Sequence, residues 1–353
     1  MFPVALTRAR AHAHAHARKK TFDYVPLVTL KIEARQEVFP LKHVFRISRG
    51  SRTEASVVSI TLNDGQYTGR GEGVPISRYN QNVDSALAQI ESIQLVDDLD
   101  RDKLQQLLPA GAARNALDCA LWDLEAKRSG KRAWELANIS IADQVETSFT
   151  ISLDTPERMA EAAAAATELP ILKLKLCGDD SDLARVEAVR AAAPMARLFI
   201  DANESWSPRH YRNIVSALNE LGVELIEQPF PADADDALQT VEHPIPVCAD
   251  ESCHTTVDLL RLKNRYEAIN IKLDKTGGLT EALQLYRGAR ENNFKILIGC
   301  MICTSLSIAP ARLLASNADW IDLDGPLLLA RDRDHGLPYR NERIGMPGRE
   351  LWG

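Results

Sequence analysis

Ammonium and carboxylate groups recur at a near-constant interval through the second half of this chain. Lys173-Leu174-Lys175 is followed by Asp201-Ala202-Asn203, Glu227-Gln228-Pro229, Asp250-Glu251-Ser252, Lys272 and Asp322-Leu323-Asp324. The steps are 26 residues (201 to 227), 23 (227 to 250) and 22 (250 to 272), about one strand-plus-helix unit each. Three carboxylates sharing a pocket repel one another, and a divalent cation is their natural counter-charge. Mg²⁺ takes hard oxygen ligands in an octahedron and keeps some positions for water or substrate, a demand that Asp201, Glu227 and Asp250 fit. Each could alternatively be a separate helix N-cap after its strand. The recurrence of all three at one interval favours the shared site.

The lysines extend the pattern. Residues at i and i+2 of a strand point the same way, so Lys173 and Lys175 would enter the same space, and Lys272 would face them from four strands further round. A lysine accepts a proton only when neutral; burial, neighbouring ammonium groups and a nearby cation all push its pKa down. Two opposed lysines could remove a proton from one face of a carbon and return it to the other, a 1,1-proton transfer. The proton beside a carboxylate is a very weak acid, and a cation on the carboxylate oxygens stabilises the enediolate left behind. The alternative is that Ile171-Leu172-Lys173-Leu174-Lys175-Leu176 is an edge strand with its lysines in solvent.

These groups need elements that bring them to one place. Strand-like runs cover Thr147–Leu153, Ile171–Leu176, Arg197–Asp201, Val223–Glu227, Pro246–Asp250, Ala268–Leu273, Lys295–Cys300 and Trp320–Asp324, with helical stretches between most of them. Such alternation implies a parallel sheet with crossover helices. Closed on itself it is a (β/α)₈-type barrel, whose active site lies at the C-terminal ends of the strands, where the charges fall; an open α/β sheet is the alternative. The first part reads differently. Residues 28–73 hold short β-type runs, one ending at Asn63-Asp64-Gly65, a hairpin signal, and helical patterning follows to Ala137. The boundaries expected are an extension over 1–25, an N-terminal domain over 26–140, the barrel over 141–330 and a C-terminal segment, 331–353, that packs back on the N-terminal domain.

Composition excludes several classes. The 353 residues are 45% hydrophobic and 26% charged, with 42 basic against 49 acidic side chains and a net charge of −7. Nothing in that balance points to nucleic acid or a membrane surface as partner. Six scattered cysteines form no disulfide framework and read as reduced thiols of a cytoplasmic protein. Residues 1–20 carry five basic residues, no acid and the tract Ala11-His12-Ala13-His14-Ala15-His16-Ala17. They lack the apolar core of a secretory signal and read as a disordered tail or an overextended start.

The combined pattern resembles the muconate-lactonizing branch of the enolase superfamily, over about residues 28–330. That branch has Lys-x-Lys on the second barrel strand, acids on the third to fifth and a lysine on the sixth. The resemblance implies a modified (β/α)₇β TIM-type barrel under an α+β N-terminal capping domain completed by the C-terminal tail. It implies one Mg²⁺ on Asp201, Glu227 and Asp250, with Lys175 and Lys272 as the acid/base pair and Lys173 near the substrate carboxylate. Within the branch the strings Arg114–Leu124, Asp201–Trp206, Ala249–His254 and Asn270–Leu279 are similar to the dipeptide epimerases. There an Asp-x-Asp pair such as Asp322 and Asp324 holds the dipeptide's α-ammonium, which two carboxylates on one strand suit. Thr150, Cys300 and Ile302 match pocket-lining positions. Arg49 and Arg52 lie in what the family has as a mobile capping loop, from which an arginine would pair with the side-chain carboxylate of a Glu residue. The implied reaction interconverts L-Ala-L-Glu and L-Ala-D-Glu from cell-wall peptide turnover, in an enzyme whose relatives are often homo-oligomers.

The chain departs from mandelate-racemase-like members, because Gly299-Cys300-Met301 stands where they carry a His. Cys300-Met301-Ile302-Cys303 is a C-x-x-C read as pocket lining rather than redox chemistry. Two further readings compete: o-succinylbenzoate synthase or muconate cycloisomerase chemistry, whose substrates bear no ammonium for Asp322 and Asp324, and a silent barrel serving as a binding protein, against which the intact lysines and carboxylates argue.

Overall fold

The computed structural model describes residues 30–94, 96, 98–166, 168–341 and 343–353; the extension expected over 1–25 lies outside the described residues. A long antiparallel hairpin opens the chain. β1 (Lys31–Ile47) pairs with β2 (Gly50–Asn63), and β2 with β3 (Thr68–Gly73). The expected loop carrying Arg49 and Arg52 is corrected here. Ile47 pairs with Gly50 across a two-residue turn, Ser48-Arg49, and Arg52 is already inside β2, opposite Phe45. Two-residue turns suit the twist of a hairpin, and Gly50, at φ 143°, accepts a backbone that other residues rarely adopt. Helices α1 (Val83–Glu91), α2 (Arg101–Leu107), α3 (Ala112–Ser129) and α4 (Ala133–Leu136) follow.

α3 lies against β3 with almost nothing between them. A Cβ added to Gly69, Gly71 or Gly73 would stand 2.2, 2.0 and 2.1 Å from the carbonyl oxygens of Ala120, Ala116 and Ala112. Glycines at every second strand position therefore meet alanines at every fourth helix position, the periods of the two elements. The result buries α3 on nearly all sides. Its Arg114 donates to the carbonyls of Thr276 (2.6 Å), Gly277 (3.1 Å) and Leu108 (3.2 Å), and Asn115 donates to Asp274 Oδ1 at 2.8 Å. These bonds join the helix to the segment just after Lys272.

After β4 (Val145–Glu146) comes an eight-stranded parallel sheet: β5 (Phe149–Ile151), β6 (Ile171–Lys175), β7 (Arg197–Asp201), β8 (Val223–Glu227), β9 (Val247–Ala249), β10 (Ala268–Ile271), β11 (Lys295–Gly299) and β12 (Trp320–Asp322), hydrogen-bonded in that order. Ser148 N donates to Ile321 O at 2.9 Å and Leu323 N to Thr147 Oγ1 at 2.7 Å, which closes the last strand onto the first. That closure explains why the first run is shorter than Thr147–Leu153: its entry residues form the seam. Helices α5 (Pro156–Ala165), α6 (Asp182–Ala192), α7 (Pro208–Glu220), α8 (Leu259–Leu262), α9 (Leu273–Thr276), α10 (Leu279–Glu291), α11 (Ser305–Ala315) and α12 (Gly325–Leu328) lie in the connections, and a 3₁₀ turn over Asp235–Thr240 serves between β8 and β9. The fold is a TIM-type barrel with a separate antiparallel N-terminal sheet.

The last residues return to the start. β13 (Tyr339–Arg340) pairs with β14 (Arg343–Ile344), and β14 with β4. Trp352 is fully buried and donates from Nε1 to Cys119 O on α3 at 2.9 Å. All six cysteines are free thiols, and no described helix is long and apolar enough to cross a membrane.

Candidate active site

Side chains inside a barrel stack in layers, because alternate strand residues point inward. Ile171, Phe199, Leu225, Cys248, Ala268, Leu297 and Trp320, one from each of β6 to β12, form a buried apolar cluster. Two residues further along each strand stand Lys173, Asp201, Glu227, Asp250, Asn270, Gly299 and Asp322. The polar layer therefore rests directly on an apolar floor. Another two residues on are Lys175, Lys272 and Asp324. Gly299 leaves space that Asn270 uses, since a Cβ there would stand 2.5 Å from Asn270 Oδ1.

The charges of this layer are tightly paired. Lys173 Nζ lies 2.6 Å from Glu227, 2.7 Å from Asp322 and 3.3 Å from Asp201. Lys175 Nζ donates to Asp201 Oδ2 at 2.5 Å. Lys272 Nζ donates to Asp250 Oδ2 at 2.7 Å and lies 3.8 Å from Glu227. Lys275, fully buried, takes the other Asp250 oxygen at 2.7 Å. Asn270 Nδ2 donates to Glu227 Oε1 at 2.6 Å. Burial would raise the pKa of Asp201, but Lys175 and Lys173 outweigh it and hold the carboxyl down at about 2. Asp250 falls well below the usual carboxylate range: burial opposes this, and Lys272 and Lys275 overcome it. Glu227 is pushed up by burial and by Asp201. Burial would lower the ammonium pKa of Lys173 and Lys272; Asp322 and Glu227 raise the first, Asp250 and Glu227 the second. For Lys173 and Lys272 the facing carboxylates outweigh burial, and both ammonium groups are raised.

The three acids fit a cation by their chemistry. Asp201, Glu227 and Asp250 are oxygen donors on adjacent strands with side chains at most 3% exposed. Glu227 Oε2 and Asp250 Oδ1 are buried and accept no hydrogen bond of sound geometry, although ammonium groups lie within ion-pair reach of both. Buried oxygens left in this way have capacity for a further positive ligand. A second acidic grouping, Cys177, Asp179 and Asp182, has its charge met by Arg185, which contacts both aspartates at 2.5 and 2.8 Å.

Above the acids a cavity of about 470 Å³ opens, within the usual size range of small-molecule sites. Lys175 and Lys272 line it, as do Arg49 and Arg52 from the hairpin, Tyr79 from the 3₁₀ turn Ser77–Tyr79, Asp250, Glu251 and the segment Cys300–Ile302. That segment is tied down just beyond, where Thr304 N donates to Glu72 Oε1 on β3 at 2.9 Å. Arg49 bonds Glu251 Oε1 and Asn203 O, each at 2.7 Å. The Arg52 guanidinium makes no ion pair or hydrogen bond with the described residues. Asp322 accepts from Ser148 Oγ and Lys173 Nζ, each at 2.7 Å, and Asp324 accepts from Thr150 N at 2.7 Å. Burial and the neighbouring Asp322 push Asp324 up to about 7. Asp322 is thus bonded to Ser148 and Lys173, and Asp324 to Thr150. None of Thr150, Asp322 and Asp324 lines this cavity, and Thr150 lines a neighbouring one with Phe45 and Ser152. Asn270, Lys275, Glu251 and Tyr79 were not singled out from the sequence. For Asn270 a signal existed: it stands two residues before Lys272 and so shares its face.

Comparison with known proteins decides the family. Residues 157–347 match the enolase C-terminal domain-like family, and residues 28–137 match the mandelate racemase/muconate lactonizing enzyme N-terminal domain. The chain belongs to the enolase superfamily. The L-Ala-D/L-Glu epimerase of Escherichia coli K12 is 45% identical over 87% of this chain and 97% of its own length. The N-acetyl-D-glutamate racemase of a Pseudoalteromonas species is 43% identical over 84% of this chain and 95% of its own. A crystal structure of an enolase family member from Agrobacterium tumefaciens, homologous to dipeptide epimerases and holding sodium and L-Ala-L-Glu, superposes with a TM-score of 0.90 at 49% identity, covering 92% of this chain and all of that one. This enolase-superfamily chain is thus an isomerase of the epimerase and racemase kind.

Proposed function

We propose that the chain is a cytoplasmic, Mg²⁺-dependent epimerase that interconverts L-Ala-L-Glu and L-Ala-D-Glu, in the turnover of cell-wall peptides. The observation that carries this reading is the placement of Lys175 and Lys272. They come from β6 and the end of β10, four strands apart in an eight-stranded barrel, and both line one cavity. Strands four apart in eight lie on opposite walls, so the two amines can serve opposite faces of one carbon. Asp201, Glu227 and Asp250 would hold the cation, which would supply positive charge to the substrate's carboxylate oxygens as the α-proton leaves. Taking up the charge of those acids would also free Lys272 from Asp250 and Glu227, the carboxylates that hold its pKa up against burial, and would free Lys175 from its bond to Asp201. Lys173 would sit beside the substrate carboxylate, Asp322 and Asp324 would take the α-ammonium with Thr150 orienting Asp324, and Cys300 and Ile302 would border the side chain. Arg52, unpaired at the cavity rim, would meet the glutamyl carboxylate.

The test is proton NMR of L-Ala-L-Glu in D₂O with enzyme and Mg²⁺. Loss of the glutamyl α-proton signal with growth of the L,D diastereomer is expected, with EDTA abolishing both and Mg²⁺ restoring them. Full activity after EDTA would reject the cation site, and absence of exchange would reject the substrate. A second reading, racemisation of an N-acylated glutamate, is favoured by one observation. Asp322 is already neutralised by Lys173, so the Asp-x-Asp pair offers less charge to an ammonium. Exchange of N-acetylglutamate in preference to the dipeptide would select that reading.

A further inference from the structure

Glu204 sits where four separate segments meet. It follows Asp201 by three residues, has a side chain only 8% exposed, and adopts φ 68°. A non-glycine residue in that region is strained and persists only where its surroundings hold it. Its carboxylate is gripped twice by Arg78 from the 77–79 turn, Nε and NH2 each at 2.7 Å. It also accepts from Arg49 NH1 at 3.1 Å and from Ala232 N, beyond β8, at 2.9 Å. Arg49 occupies the hairpin turn and Ser48 Oγ beside it reaches Asn203 O at 3.2 Å. The hairpin stem has its own anchor, Arg46 N to Ser152 Oγ at 2.6 Å. The stem is therefore held on the first barrel strand and the tip on the loop after the third. Arg52, three residues beyond Arg49, has no such partner and lines the cavity.

We propose that Glu204 is a positioning residue: by gripping Arg49 and Arg78 together, it holds the β1–β2 turn across the barrel mouth and fixes where Arg52 meets an anionic substrate side chain. Paired and partly buried charges lose most of their value when one partner is removed, so the grip should be sensitive to a neutral isostere. The assignment of Arg52 to the substrate rests on the epimerase reading; the grip itself does not.

Glu204→Gln tests both parts, with Arg78→Gln as a milder variant that leaves the strained position untouched. Hydrogen–deuterium exchange of residues 45–53, without substrate, should accelerate about ten-fold in Glu204→Gln and less in Arg78→Gln. KM for L-Ala-L-Glu should rise about ten-fold with kcat within about three-fold, whereas KM for an uncharged dipeptide such as L-Ala-L-Leu should stay put. Glu204→Asp should recover part of the loss. Unchanged exchange at 45–53 in both variants would overturn the grip, and an equal rise in KM for both dipeptides would overturn the specificity role. If the wild-type protein turns over neither dipeptide, the functional reading fails, and the exchange measurement alone still upholds or overturns the grip.

Discussion

Lys175 faces Asp201 and Lys272 faces Asp250, so each of the two proposed bases has its own carboxylate partner. Lys175→Ala and Lys272→Ala should each lower kcat for epimerisation by at least about 10³-fold. Each should also retain α-proton exchange into D₂O for one diastereomer only, and a different one in each variant. Mass spectrometry of both diastereomers after incubation checks this; exchange of the same isomer in both variants would refute opposed bases. The lysines and acids were legible because both rest on periodicity: two residues for the strand face, one strand–helix unit for the step to the next strand. What each ammonium touches was not legible. Lys275 reaches Asp250 from the turn after β10, and Arg49 is held by barrel acids rather than waiting for substrate. Those partners depend on how the loops fold over the mouth, which no local pattern encodes.

At the scale of elements, the contact between α3 and β3 governs the cap. Thr68-Gly69-Arg70-Gly71-Glu72-Gly73 is a poor strand by propensity, and it forms because the helix needs the space that side chains would fill. Gly71→Ala places a methyl group 2.0 Å from Ala116 O. Backbone on both sides leaves little room to yield, so the variant should lose about 2–4 kcal/mol of stability. A denaturant titration reads this directly, and a loss under about 0.5 kcal/mol would show that the helix can move away. The hairpin between β2 and β3 was legible from Asn63-Asp64-Gly65, whose side chains bond the turn's own backbone, as in Gly65 N to Asn63 Oδ1 at 2.7 Å. The extension of β1 to Ile47 was not, because its residues are mostly exposed and gain their structure from partners outside the segment: β2 along most of its length, Ala330 N on Pro40 O at 2.8 Å and Leu153 N on Arg46 O at 3.1 Å.

At the scale of the molecule, cap and barrel meet at Asp274. This buried carboxyl accepts from Val74 N on the cap side and from Asn115 Nδ2 of α3, both at 2.8 Å. Burial pushes it up to about 7 despite those bonds. A carboxyl raised in the folded state binds its proton more readily there than in the unfolded chain. It therefore costs stability as pH rises through the window from about 4 to about 7. Asp274→Asn keeps an acceptor oxygen and removes the titration. The stability of the variant relative to the wild type should therefore improve by about 1–3 kcal/mol between pH 4.5 and pH 8. Chemical denaturation at the two pH values measures it, and a difference that does not change with pH would assign the raised pKa no role in docking. The barrel itself was legible from eight regular runs. The docking was not, since Asp274 lies 159 residues from Asn115 and no short-range signal links them.

The apolar floor contributed by β6 to β12 also decides how molecules travel. Among the described residues it fills the barrel beneath the acids, so the barrel axis gives no way through, and the cavity opens on the side where the hairpin tip lies. A reactant enters and its isomer leaves by the same route. The two diastereomers would therefore compete for passage as well as for binding, and neither can be drawn off through the barrel floor.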